Sequence, residues 1–87
     1  MIYNLKFELN GENKEIISNN VVNLYDILED NYFKLFIFRD EWIRRNINSS
    51  NTKMIFNKLL RLSDSEYLDI IRCFLENENI KFTLFVE

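Results

Sequence analysis

At 87 residues the chain is long enough for one domain and one core, and its 15% aromatic content excludes a disordered chain. The absence of histidine and the single cysteine and glycine exclude the commonest general base, an internal disulfide, a structural zinc cluster and a glycine-rich phosphate loop. The net charge of −3 sets up a long-range repulsion from phosphate.

Residues 2–9 alternate, with Tyr3, Leu5, Phe7 and Leu9 on one side and Asn4, Lys6 and Glu8 on the other, which predicts a half-buried strand. Asn10-Gly11 follows, a pair that tolerates the positive φ of a tight hairpin, and a second strand over about 14–18 should return antiparallel. Because Glu12 and Asn13 are poor strand formers, the loop has room to be longer than two residues. Ser18-Asn19-Asn20 offers N-cap side chains, and Val21, Leu24, Tyr25 and Leu28 recur at helical spacing over about 21–29. Asp26, Glu29 and Asp30 occupy the other side, where acids near a helix C-terminus oppose the macrodipole.

The run Tyr-Phe-Lys-Leu-Phe-Ile-Phe at 32–38 is almost continuously apolar and is expected to be a central strand covered on both faces. Residues 42–47 fit a hairpin strand, and 40–46 fit a helix nearly as well. Asn48-Ser49-Ser50-Asn51 reads as a loop. A helix over 52–62 should turn Ile55, Phe56, Leu59 and Leu62 inward. Ser63-Asp64-Ser65-Glu66 is a capping box opening a helix over 64–76, with Tyr67, Leu68, Ile71, Phe74 and Leu75 inward, so these two helices should form an angled hairpin. Residues 80–86 alternate again as a final strand that joins the first hairpin. The expected fold is α+β: a small, mostly antiparallel sheet with helices on one face, in the order β-β-α-β-(β)-α-α-β, as one domain spanning 1–87.

Two surfaces carry the functional expectations. From Lys34 to Arg61 there are seven bases and two acids, whereas the remainder has four bases and twelve acids. In the basic segment Arg39, Arg44, Arg45, Lys53, Lys58 and Arg61 are interleaved with Phe36, Phe38 and Trp42, the combination that neutralises phosphates and stacks on bases. The competing reading puts those aromatics in the core and the cations at its rim. The helices at 52–62 and 64–76 are also similar to a helix-turn-helix, yet the second carries Asp64, Glu66, Asp69 and Glu76 against one base, Arg72, and would be repelled by a phosphate backbone. The acidic set, with Asp26, Glu29, Asp30, Glu76 and Glu78 as candidate partner-binding residues, suits a cationic groove on another protein. Adjacent acids such as Asp40/Glu41 have no calcium-loop spacing, and Cys73 has no activating base, so no catalytic residue, metal or cofactor is expected.

No apolar run reaches the roughly 20 residues of a membrane span, and a cytoplasmic, non-membrane protein is expected. The profile of one compact domain, acidic balance, Asn/Ile/Lys-rich composition and missing catalytic groups resembles that of the small phage and mobile-element inhibitors called anti-CRISPR proteins. That resemblance spans the chain without a diagnostic motif, and no functional residue transfers from it. It implies a non-enzymatic inhibitor that occupies a nucleic-acid groove or working surface of a CRISPR effector, so that the partner is a protein or ribonucleoprotein. The alternatives are a small nucleic-acid-binding protein using 34–61 and a homodimer pairing through an edge strand at 32–38.

Overall fold

The computed structural model describes residues 1–47, 52–59 and 61–87. Its elements are β1 (Tyr3–Leu9), β2 (Glu12–Ser18), α1 (Val21–Asn31), α2 (Lys34–Ile47), α3 (Thr52–Leu59), α4 (Asp64–Asn77) and β3 (Phe82–Val86). The sheet has the order β2-β1-β3, and both pairings are antiparallel. The α+β layering is as the sequence predicts. The expected loop at 48–51 lies outside the described residues.

Alternation fixes the sheet. Leu5 pairs with Ile16 on one side and Leu84 on the other, and Phe7 pairs with Lys14 and Phe82, so one face collects apolar side chains. Asn10 and Gly11, at φ 52° and 81°, make a two-residue turn with Leu9 opposite Glu12, so the hairpin loop is tighter than its flanking residues suggest. The helices cover this face. Tyr3, Leu5, Phe7, Val21, Leu24, Tyr25, Leu28, Ile55, Ile71, Phe74 and Leu75 are buried in one core; Leu59, Phe82 and Leu84 are half-buried around it.

Three expectations are corrected. The run at 32–38 is not a strand: Lys34–Phe38 opens α2, and residues 40–47 continue the same helix. Leu35, Trp42 and Ile43 are buried and Phe38 and Arg39 half-buried, a spacing of three and four that only a helix sets on one side. The apolar Phe33, Phe36 and Ile37 on the other side stay exposed, and they give the run its two-faced look. Phe56 also points outward, 58% exposed. Finally, α3 lies against α2 more than against α4; the Lys58–Glu66 ion pair at 2.7 Å ties it to the start of α4.

α1 begins at Asn20, whose side chain accepts from the backbone N–H of Val22 and Asn23 at 2.8 and 3.1 Å. The Ser18 hydroxyl locks this corner by donating to the Asn20 carbonyl and accepting from Asn23 Nδ2. α4 begins with the expected capping box, Ser63 accepting from the Glu66 N–H and Glu66 accepting from the Ser63 N–H. It ends in a left-handed cap: Asn79 has φ 57°, its N–H reaches the Glu76 carbonyl, and Ile80 N–H reaches that of Leu75.

Candidate functional site

α1 and α4 run in the same direction. Tyr25 meets Tyr67 at 5.3 Å between ring centroids, and further along both helices Tyr32 meets Phe74 at 5.8 Å. Both helices therefore stop at the same end of the molecule, where the negative ends of two macrodipoles lie together. Neither last turn contains a base. α1 carries Glu29 and Asp30 there, and α4 carries Glu76 and is capped by Glu78. Asp30, Glu76 and Glu78 are exposed and make no ion pair among the described residues.

Between these helix ends lies a hollow of about 260 Å³ lined by Asn31, Tyr32, Phe33, Lys34, Phe74, Glu78 and Ile80. Phe74 is buried at its base, and Phe33 stands 74% exposed on its wall. Burial, and then the nearby Glu78 carboxylate, push the Tyr32 hydroxyl above its ordinary pKa, so it stays protonated as a donor. This corner combines aromatic surface, a carboxylate and one base, Lys34. The sequence reading missed Phe33 and Tyr32 because it placed them in a strand; the signal available was the helical spacing of Leu35, Phe38, Arg39, Trp42 and Ile43.

Asp26 and Glu29 sit further back, within electrostatic reach of the Tyr67 hydroxyl together with Arg39. Arg39 lies 5.5 Å from the Tyr25 ring and 5.9 Å from Phe36, with only a loose 3.7 Å approach to Asp40. Burial raises the Tyr25 hydroxyl far above its ordinary pKa; Arg39 opposes this, and Glu29 adds to it without closing a hydrogen bond. The five acids therefore divide. Asp30, Glu76 and Glu78 form an acidic pole without an ion pair among the described residues, with Lys34 beside Glu78 in the lining of the hollow, and Asp26 and Glu29 act on the same Tyr67 hydroxyl as the half-buried Arg39.

The basic set is dispersed. Arg39 is wedged among aromatics, and Lys58 is held by Glu66. Arg45 lies 6.0 Å from the Phe38 ring, beside a second hollow of about 480 Å³ between α2 and α4. Arg44 and Arg61 are exposed, on α2 and in the turn after α3, and Lys53 lies on α3 with its own contacts. Of the intervening aromatics, Phe36 is exposed with Arg39 5.9 Å from its ring, and the other two have other work. Trp42 is buried and donates its Nε1–H to Asp69 at 2.9 Å, and Phe38 packs on Phe74 at 5.7 Å. Neither is free to stack on a base.

Cys73 borders the second hollow. Burial, with the Asp69 and Glu76 carboxylates, pushes its thiol above the usual range, so it is a poor nucleophile at neutral pH. No cluster of three metal-ligating side chains occurs among the described residues, and none of the described helices is long and apolar enough to cross a membrane. A trough of about 470 Å³ on the open sheet face holds Lys6 and Glu15, which pair with each other at 3.7 Å. In comparisons with known proteins, no family, no curated protein and no solved structure matches the chain.

Proposed function

We propose that the protein is a non-enzymatic binding protein that inhibits or regulates a macromolecular partner, and that it engages a cationic surface of that partner with the pole where α1 and α4 end. The supporting observation is the placement of Asp30, Glu76 and Glu78 at two co-terminating helix ends without a base in either last turn. Each such acid opposes a macrodipole and costs about 0.3–1 kcal/mol. A Lys- or Arg-rich partner relieves that cost when it binds. The hollow beside the pole suits one such side chain, its stem on Phe74 and Ile80 and its cation toward Glu78 and the faces of Tyr32 and Phe33.

The resemblance to anti-CRISPR inhibitors supplies the class of partner: a protein or ribonucleoprotein whose groove is built to hold phosphate. Such a groove is lined with cations, and an acidic pole competes with nucleic acid for it. Direct nucleic-acid binding through the 34–61 segment is less well supported, because Arg39 and Lys58 are engaged within the fold and Trp42 and Phe38 within its core.

The test is affinity isolation from the native host with the native chain and with a D30K/E76K/E78K variant, followed by nucleic-acid binding assays on the captured partner. The proposal expects the native chain alone to retain the partner and to displace its nucleic acid. Equal capture by both proteins, or saturable binding of mixed DNA and RNA that is abolished by R44A/R45A, counts against it.

A further inference from the structure

The two edges of the sheet differ. The β2 edge is guarded by Glu12, Lys14 and Glu15, the kind of charge that blocks strand-to-strand association. The β3 edge reads Phe-Thr-Leu-Phe-Val, without a charge, a glycine or a proline. Phe85 is 59% and Val86 40% exposed, so this end of the edge is open.

The backbone of β3 has a definite polarity. Ile2 and Glu87 exchange both N–H···O bonds, at 2.6 and 2.8 Å, and Glu8 N–H reaches the Lys81 carbonyl at 3.0 Å. Bonded and non-bonded pairs alternate along an antiparallel ladder, so Thr83 and Phe85 also bond to β1. The N–H and C=O groups of Phe82, Leu84 and Val86 therefore point away from the sheet.

We propose that this edge pairs with β3 of a second copy, antiparallel about Leu84, joining two three-stranded sheets into one of six strands. In this register Leu84 faces Leu84 of the other copy and Phe82 faces Val86. These are the residues whose backbone groups point outward, so every outward donor meets an acceptor. Their side chains lie on the helix-covered face and extend the apolar row of each core across the junction. On the open face Thr83 lies opposite Phe85, and Lys81 lies opposite Glu87. Moving the register by two residues in either direction separates Lys81 from Glu87 and shortens the ladder. The strand is thus self-complementary in hydrogen bonding, in apolar surface and in charge, which favours a second copy over an unrelated extended peptide. The inference is independent of the acidic pole.

Sedimentation equilibrium of the full chain from about 1 µM to about 1 mM tests it. The mass should rise with concentration to twice the 10.7 kDa of one chain. Over the same range the amides of Phe82, Leu84 and Val86 should become protected from hydrogen exchange, whereas those of Thr83 and Phe85 are protected throughout. K81E and E87K alone should each weaken the dimer roughly tenfold, since two cross-strand pairs turn from attraction to repulsion. The double variant K81E/E87K should restore it, which also shows that the single variants fold. V86K should be monomeric with an unchanged circular-dichroism spectrum. A chain that stays monomeric throughout, a dimer indifferent to both single charge changes, or a double swap that fails to restore association overturns the proposal.

Discussion

Glu66 has two roles at one helix end. It completes the capping box with Ser63, and it receives the Lys58 ammonium at 2.7 Å. Lys58 and then the Ser63 groups hold its carboxyl below the ordinary carboxylate value, against an opposing effect of partial burial. A depressed carboxylate stabilises the fold above its unfolded pKa of about 4.3, and that contribution fades as pH falls through the folded value. Lys58→Met should therefore cost up to about 1 kcal/mol at pH 7, a small amount because the pair is partly solvated, and the difference from native should shrink as pH falls from about 4.3 through the lower folded value. Urea melts at neutral pH and down through that range measure it. Ser63→Ala should cost about 0.5–2 kcal/mol in the same assay by leaving an amide at the start of α4 unpaired. Phe74, buried with Tyr32 and Phe38 edge-on to it, is a different case: Phe74→Ala removes a ring at the centre of the core and should cost about 3–5 kcal/mol.

At the scale of elements, α2 has a polar anchor on α4. The indole of Trp42 donates to Asp69 across the α2–α4 interface, and a buried donor without its acceptor costs about 1–3 kcal/mol. Asp69→Ala should destabilise by that amount and shift the emission of the sole tryptophan, which makes fluorescence-monitored unfolding the natural check. α2 is also the element that the sequence hid. β1, α1 and α4 were legible because their apolar residues recur at a single period, and Asn20 and Ser63 announce the helix starts. In α2 the buried spacing of Leu35, Phe38, Trp42 and Ile43 is overprinted by exposed Phe33, Phe36 and Ile37, so a short window shows only a continuous apolar run. The acids of the candidate site could be named from the sequence. Their division could not, because it follows from the parallel packing of α1 on α4, a tertiary fact that no local pattern encodes. The basic segment misled for a related reason: contiguity in sequence put Arg39 and Lys58 beside Arg44 and Arg45, and the fold turned them to different neighbours.

For the whole molecule, the proposed function sets stability against binding at the acidic pole. Asp30→Lys and Glu76→Lys each replace an acid that opposes a helix dipole with a base that favours it, so each should raise stability by about 0.3–1 kcal/mol at low salt while weakening the partner complex. A thermal melt beside a binding titration reads both signs, and loss of stability in these variants would count against the dipole argument. The order of the sheet also has a consequence for how the chain is made. Its central strand is synthesised first and one of its two neighbours last: Phe7 is paired with Phe82. At about 5–20 residues per second, roughly 4–15 s of translation separate the two, and through that interval the edge of β1 that will face β3, with the backbone groups of Asn4, Lys6 and Glu8, has no partner on that side. The nascent hairpin is then the species most exposed to misassociation, and a ribosome-bound chain stalled before residue 82 should recruit holding chaperones that a chain extended past residue 87 by a linker does not.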